Sequence, residues 1–279
     1  MDTSINSLSS SLVRNLTLHC DPRMVTTLDV ETWIGMGTLD MLKVDSCSIP
    51  TISVSALEGN LVQATKLELY SNSLRDEDGV LIVQAIPSLK IKSLTISDNF
   101  VKFQTLKMAA SIAAHLVYLD LSSNMIGDVG LEDQNNVEFV GSKLQSLKLN
   151  ELYSMNFNRL EIMLRSLKGS PLLKLEIGKL NIGDDGVQVL ADTFATSQLQ
   201  ELYISDSQIG HPAFLLKIKS LRYLILNDKF MNEGGIDFFL DELIILKKKG
   251  KTNLQFVSIQ GGKNAAINIK LSSIGIQYS

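Results

Sequence analysis

Cysteine is nearly absent: Cys20 and Cys47 are the two in 279 residues. Two are too few for a disulfide framework, and their wide spacing is not that of a zinc site. They read as small packed groups rather than nucleophiles. Histidine is also scarce. His19, His115 and His211 lie 96 residues apart, and then 96 again. In a rigid stack of repeats they would not converge, which argues against a zinc site and a histidine triad. No stretch approaches the ~18 apolar residues of a spanning helix, so no membrane segment is expected. The N-terminus, Met1-Asp2-Thr3-Ser4-Ile5-Asn6-Ser7, has no basic start followed by an apolar run, so no secretory leader is expected. The net charge is −4, which lacks the basic footprint of a nucleic-acid binder. There is no Gly-x-x-x-x-Gly-Lys loop and no His-Glu-x-x-His helix. The expectation is therefore a cytoplasmic, non-enzymatic chain without cofactor or metal.

What the chain has in quantity is a repeated apolar phrase, Leu-x-x-Leu-x-Leu. It is cleanest at Leu116 followed by Tyr118-Leu119-Asp120-Leu121. Taking the middle leucine as anchor gives Leu16, Leu42, Leu67, Leu94, Leu119, Leu147, Leu175, Leu202, Leu224 and, by position, Val257. Successive gaps, by subtraction, are 26, 25, 27, 25, 28, 28, 27, 22 and 33. A period in this range signals a solenoid built from stacked supersecondary units. Apolar residues make up 45% of the chain, enough for a long continuous core.

Each phrase reads as a strand, in which alternate side chains face opposite ways. Leu119 and Leu121 then point inward, and Tyr118, Asp120 and Ser122 outward. Five residues after the anchor stands a residue able to serve backbone groups in the following turn: Cys47, Asn72, Asn99 and Asn124. A helical half follows. Residues 76–86 open with acids, which suit a helix N-terminus, and repeat Val80, Val83 and Ile86 at helical spacing. Asp184-Asp185-Gly186-Val187 repeats the design, and 127–130 and 232–236 echo it. Further helices are expected over 103–114, 158–167 and 234–246.

The pattern Leu67-x-Leu69-x-x-Asn72-x-Leu74-x-Asp76-x-x-Gly79 resembles the leucine-rich repeats of the ribonuclease-inhibitor-like class. That class includes Ran GTPase-activating proteins and intracellular immune receptors. The resemblance spans roughly residues 13–260. It implies an α/β leucine-rich-repeat solenoid of about ten repeats, a curved right-handed αβ superhelix. Parallel strands would line the concave face and helices the convex face. Extracellular relatives cap their ends with cysteine clusters, and none is present. The turn position departs from the pattern at Leu152, Leu180, Ser207, Lys229 and Gly262. Residues 1–12 read as a short N-terminal segment, 13–262 as the solenoid, and 263–279 as a C-terminal cap. Trp33 falls in the first helical half, where it would plug that end. Ile267-Asn268-Ile269-Lys270-Leu271 alternates like a strand.

A solenoid offers an extended surface rather than a cleft. The outward positions bring Tyr203, Tyr223, Ile225 and Phe256 within about two strand spacings of ~4.8 Å each. Such aromatic groups mark protein contacts, unless a cap or a long loop covers them. A mixed-charge zone runs through Lys43, Asp45, Lys66 and Glu68, then Asp120, Lys148, Lys174 and Glu176. It is either a solvated sheet surface or a rim that orients a partner. Tyr118, Asp120, Lys148 and Glu176 complete the expected contact set. The expected partner is a protein, not nucleic acid, a membrane or a small-molecule cofactor. The resemblance also allows a GTPase-activator-type regulatory scaffold or the substrate-receptor arm of a ubiquitin ligase. Lys247-Lys248-Lys249-Gly250-Lys251 reads as a helix C-terminus, where cations and a following glycine are favoured.

Overall fold

The computed structural model describes residues 14–21, 39–49, 57–59, 61–127, 137–139, 141–227, 231, 233–259 and 264–278. Residues 1–12, Trp33, 128–130 and Asn232 lie outside the described residues. The chain divides into two compact units, the first essentially up to residue 135 and the second essentially from 155 onward. Residues 139–144 and 152–154 belong to the first unit, and 136–138 and 145–151 to the second.

In the first unit the strands are β1 (Asn15–His19), β2 (Met41–Asp45), β3 (Lys66–Tyr70), β4 (Ser93–Ser97) and β5 (Tyr118–Asp120). They pair in parallel and in chain order. The leucine anchors stand directly opposite one another: Leu16 with Leu42, Leu42 with Leu67, Leu67 with Leu94, and Leu94 with Leu119. Parallel pairing requires a crossover between strands. Helix α1 (Asp76–Ala85) makes it after β3, and α2 (Phe103–Ser111) after β4.

The second unit repeats the plan. Its strands are β6 (Ser146–Lys148), β7 (Lys174–Gly178), β8 (Glu201–Ser205), β9 (Tyr223–Asn227), β10 (Phe256–Ile259) and β11 (Gln277–Tyr278). Again they are parallel and in order, with Leu147, Leu175, Leu202, Leu224 and Val257 in register. The crossovers are α3 (Phe157–Ser166), α4 (Gly183–Phe194), a 3-10 turn (Pro212–Lys217), α5 (Glu233–Lys248) and α6 (Asn264–Ser272). The one short gap in the anchor spacing is met by the shortest of these crossovers. The 22-residue gap holds only a 3-10 turn, and β11 follows β10 after a nine-residue helix.

The core lies between strands and helices. Leu42, Val44, Leu67, Leu69, Leu94 and Ile96 are all buried, as are Ile82, Val83 and Leu106 from the helices. Four residues after each anchor from Leu42 to Leu202, the backbone turns left-handed. Those residues are Ser46, Ser71, Asp98, Ser123, Glu151, Lys179 and Asp206, with φ between 42 and 58°. One residue later the first unit builds an amide ladder. Asn72 Oδ1 accepts from the Cys47 N–H at 3.1 Å, and its Nδ2 donates to the Val44 carbonyl. Asn99 accepts from the N–H groups of Asn72 and Leu74 at 2.9 and 3.0 Å. Asn124 accepts from the Val101 N–H. After β6, β7 and β8 the same position is filled by buried Leu152, Leu180 and Ser207.

Two expectations require correction. Cys20 and Cys47 are not separate small packed groups: they form a disulfide. In-register pairing of β1 and β2 brings residue 20 beside residue 47, with Cα atoms 5.0 Å apart. The bond joins the first two repeats where amides join the next ones. Residues 267–271 are not extended: they lie within α6. Ile267 and Leu271 are buried while Ile269 is 72% exposed. That is the i, i+4 pattern of a helix face, whereas strand alternation would have put all three on one side.

Candidate functional site

The acid-and-glycine motif at the helix starts has a second use. Asp76 Oδ1 reaches the next repeat, accepting from the N–H groups of Lys102 and Thr105 and from the Thr105 hydroxyl at 2.6 Å. A Cβ on Gly79 would stand 2.4 Å from Thr105 Oγ1 and 2.8 Å from Val101 Cγ1, so glycine permits the close approach. Asp184 behaves alike toward the N–H groups of Gly210 and His211, at 2.8 and 2.7 Å. Its Oδ2 also meets His211 Nδ1 at 2.9 Å. Burial alone would raise the Asp184 pKa. Hydrogen bonds from the His211 ring and from the two N–H groups outweigh that and hold it below the ordinary 3.8.

With the helices on one side, the odd strand positions of the second unit share the opposite, outward face. One row runs Ser146, Lys174, Glu201, Tyr223, Phe256, and the next Lys148, Glu176, Tyr203, Ile225, Ser258. The registers therefore place Tyr223 beside Phe256 and Tyr203 beside Ile225. The Tyr223 and Phe256 rings lie 6.2 Å apart in a tilted pair, within the range where aromatic pairs attract beyond their buried area. Tyr223 is 40% exposed. Tyr203, Ile225 and Phe256 are half-buried, so their outer edges still meet solvent.

The charges beside this group are paired across strands. Lys174 Nζ lies 3.0 Å from Glu176 Oε1 and 3.4 Å from Glu201 Oε2. It also sits 4.5 Å from the Tyr203 ring centroid. Lys148 Nζ holds the other Glu176 oxygen at 3.0 Å. The Tyr203 hydroxyl donates to Glu201 at 3.3 Å. Burial works against the Lys174 ammonium, but hydrogen bonding and charge from Glu176 raise its pKa above 10.5. Burial, joined by the Glu201 charge, raises that of Tyr203. Half-buried pairs at a surface, still reached by solvent, contribute on the order of 1 kcal/mol each. Their main effect is to hold side chains in place around the aromatic group.

Beyond Tyr203 the surface dips. Gly178 takes an outward position, and a Cβ there would stand 2.2 Å from Ser205 Oγ and 3.1 Å from Asn150 Oδ1. The resulting hollow, about 290 Å³, is lined by Glu176, Gly178, Tyr203, Ser205, Ile225 and Asn227 among others. Nothing in the repeat pattern marked it. A glycine where other strands carry a side chain was its only sequence signal.

Six of the eight expected contact residues thus belong to the second unit: Lys148, Glu176, Tyr203, Tyr223, Ile225 and Phe256. Tyr118 and Asp120 belong to the first. There the Tyr118 hydroxyl lies 3.4 Å from Asp120 Oδ2, and Asp120 Oδ1 accepts from the Ser122 N–H. Asp120 is only 8% exposed. Thr95 beside it is buried, and its hydroxyl has no hydrogen-bond partner among the described residues. In the first unit Lys43 pairs with Asp45 and lies over the Tyr70 ring, and Lys66 pairs with Glu68. Among the described residues, no three histidine, cysteine or carboxylate side chains cluster to hold a metal, and no helix is long and apolar enough to cross a membrane.

A leucine-rich-repeat family model matches residues 113–133. The human NACHT, LRR and PYD domains-containing protein 14 is 21% identical to this chain, over 74% of the chain and 20% of that protein. The chain thus spans about a fifth of the length of this relative. Among solved structures, an internalin from Listeria monocytogenes aligns over 88% of both chains at 14% identity, with a TM-score of 0.32.

Proposed function

We propose that this chain, a leucine-rich-repeat protein, binds a protein partner through the outward face of its strands and performs no chemistry there. The observation that carries this reading is the adjacency of Tyr203, Tyr223, Ile225 and Phe256 on one sheet face. Aromatic anchors in such groups dominate binding energy in protein interfaces. Strand-held side chains are already ordered, so binding loses little conformational freedom. The Lys148–Glu176–Lys174–Glu201 chain would set the partner's orientation more than its affinity. The ribonuclease-inhibitor-like subclass belongs to the same proposal. A cytoplasmic setting has the Cys20–Cys47 bridge against it, since such bonds persist chiefly in oxidising compartments.

The test is affinity capture from native cells, followed by titration of the captured partner. The double variant Tyr203→Ala/Tyr223→Ala should weaken binding by about 2–4 kcal/mol, roughly 30- to 1,000-fold. Its circular dichroism should match the parent. Unchanged affinity in a folded double variant removes the strand face as the contact surface.

A further inference from the structure

On the helix side of the second unit, an open cavity of about 590 Å³ lies between the 3-10 turn Pro212–Lys217 and α5. The partner-binding reading does not use it. Its apolar wall is made by Phe214, Leu216, Phe238 and Leu246. Two of these rings are unusually open to solvent, Phe214 at 40% and Phe238 at 57%. The volume falls in the range of small-molecule sites, which are mostly apolar with a few polar groups at the edge.

We propose that this cavity binds a small, uncharged aromatic molecule bearing one hydrogen-bonding group. The absence of net charge follows from the rim. Asp184 is held by His211 and two backbone N–H groups. Lys217 is paired with Asp192 at 3.4 Å and lies over the Phe214 ring. Lys219 and Glu242 remain, one of each sign, with no side-chain ion pair among the described residues. A charged ligand would lose hydration against the phenyl rings and meet no net opposite charge. A neutral ring stacks on the phenylalanines, and its hydroxyl can donate to Glu242 or accept from Lys219. A protein partner engages about 20–30 residues on each side of a standard interface. Four apolar side chains around a hollow match a ligand instead.

The experiment titrates the full chain at neutral pH with 2-naphthol, 2-naphthoate and 2-naphthylmethylammonium, read by naphthalene fluorescence and ligand-detected NMR. The naphthol should bind at least about fivefold tighter than either charged analogue. Phe214→Ala and Phe238→Ala should each weaken it by about fivefold or more, with unchanged circular dichroism. Tyr223→Ala, on the strand face, should leave it unaltered. Failure of all three probes to bind, equal or tighter binding of a charged one, or indifference to both phenylalanine variants overturns the proposal. So does a dimer in sedimentation that Phe238→Ala dissolves, since the surface would then be a contact between copies.

Discussion

Asn99 shows what single side chains contribute here. It accepts from two backbone N–H groups and donates to the carbonyls of Leu69 and Ser97, while 5% exposed. Alanine at this position leaves the buried Asn72 and Leu74 N–H groups without their acceptor and removes the donor to the Leu69 carbonyl, while the Ser97 carbonyl keeps the Ser71 N–H. Each orphaned group costs about 1–3 kcal/mol where water cannot enter. Asn99→Ala should therefore lower the unfolding free energy by about 3 kcal/mol or more, measured by urea denaturation. A loss under ~1 kcal/mol would mean that water replaces the amide. Asp184 carries a pH signature. Its folded pKa lies below its unfolded one, so its contribution is present above roughly pH 4 and is lost as pH falls through the folded value. Asp184→Asn should be less stable than the parent at neutral pH. The variant should also show a shallower fall in the urea midpoint on acidification below that point. Parallel curves for the two proteins would show that the Asp184 charge adds nothing to stability.

At the scale of elements, the disulfide and the amides do the same task by different means. The asparagine ladder satisfies buried backbone groups between β3, β4 and β5. The Cys20–Cys47 bond ties β1 to β2 across 27 residues. Closing a loop of that length restrains the unfolded chain by about 3.5 kcal/mol in the chain-entropy model. Reduction, or Cys47→Ser, should lower the first unit's resistance to urea by up to that amount. Backbone amides of β1 should lose most of their hydrogen-exchange protection, while those of β8 and β9 keep theirs. Equal protection in β1 before and after reduction would show that strand pairing alone holds it. Helix α6 teaches a different lesson. Five residues of alternating apolar character fit a strand and a short amphipathic helix equally well. Burial of Ile267 and Leu271 with exposure of Ile269 decided for the helix. Lys247 and Lys248 close α5 as expected, and Gly250 follows with φ +63°.

For the whole molecule, strand register and outward chemistry were legible in advance, because both depend on spacing that repeats along the chain. The leucine anchors pair one for one within each unit. The aromatic group on β8, β9 and β10 follows from that register alone. Partner binding should therefore respond to the row positions. Ile225→Asp, beside Tyr203, should reduce partner affinity by about tenfold or more without lowering the melting temperature by more than a few degrees. Preserved affinity would place the contact elsewhere.

Periodicity by itself determined strands β1 to β10, their inward and outward faces, and most helices, since each is a local pattern of two or of three to four residues; β11, past the last leucine phrase, carried no such pattern. Only the tertiary structure decided that Cys20 meets Cys47, that Asp76 and Asp184 serve the following repeat, that residues 264–272 are helical, and that hollows form at Gly178 and beside Phe238. These depend on which distant side chains come to share a space, and on the room left between them. A one-dimensional spacing of leucines carries neither quantity.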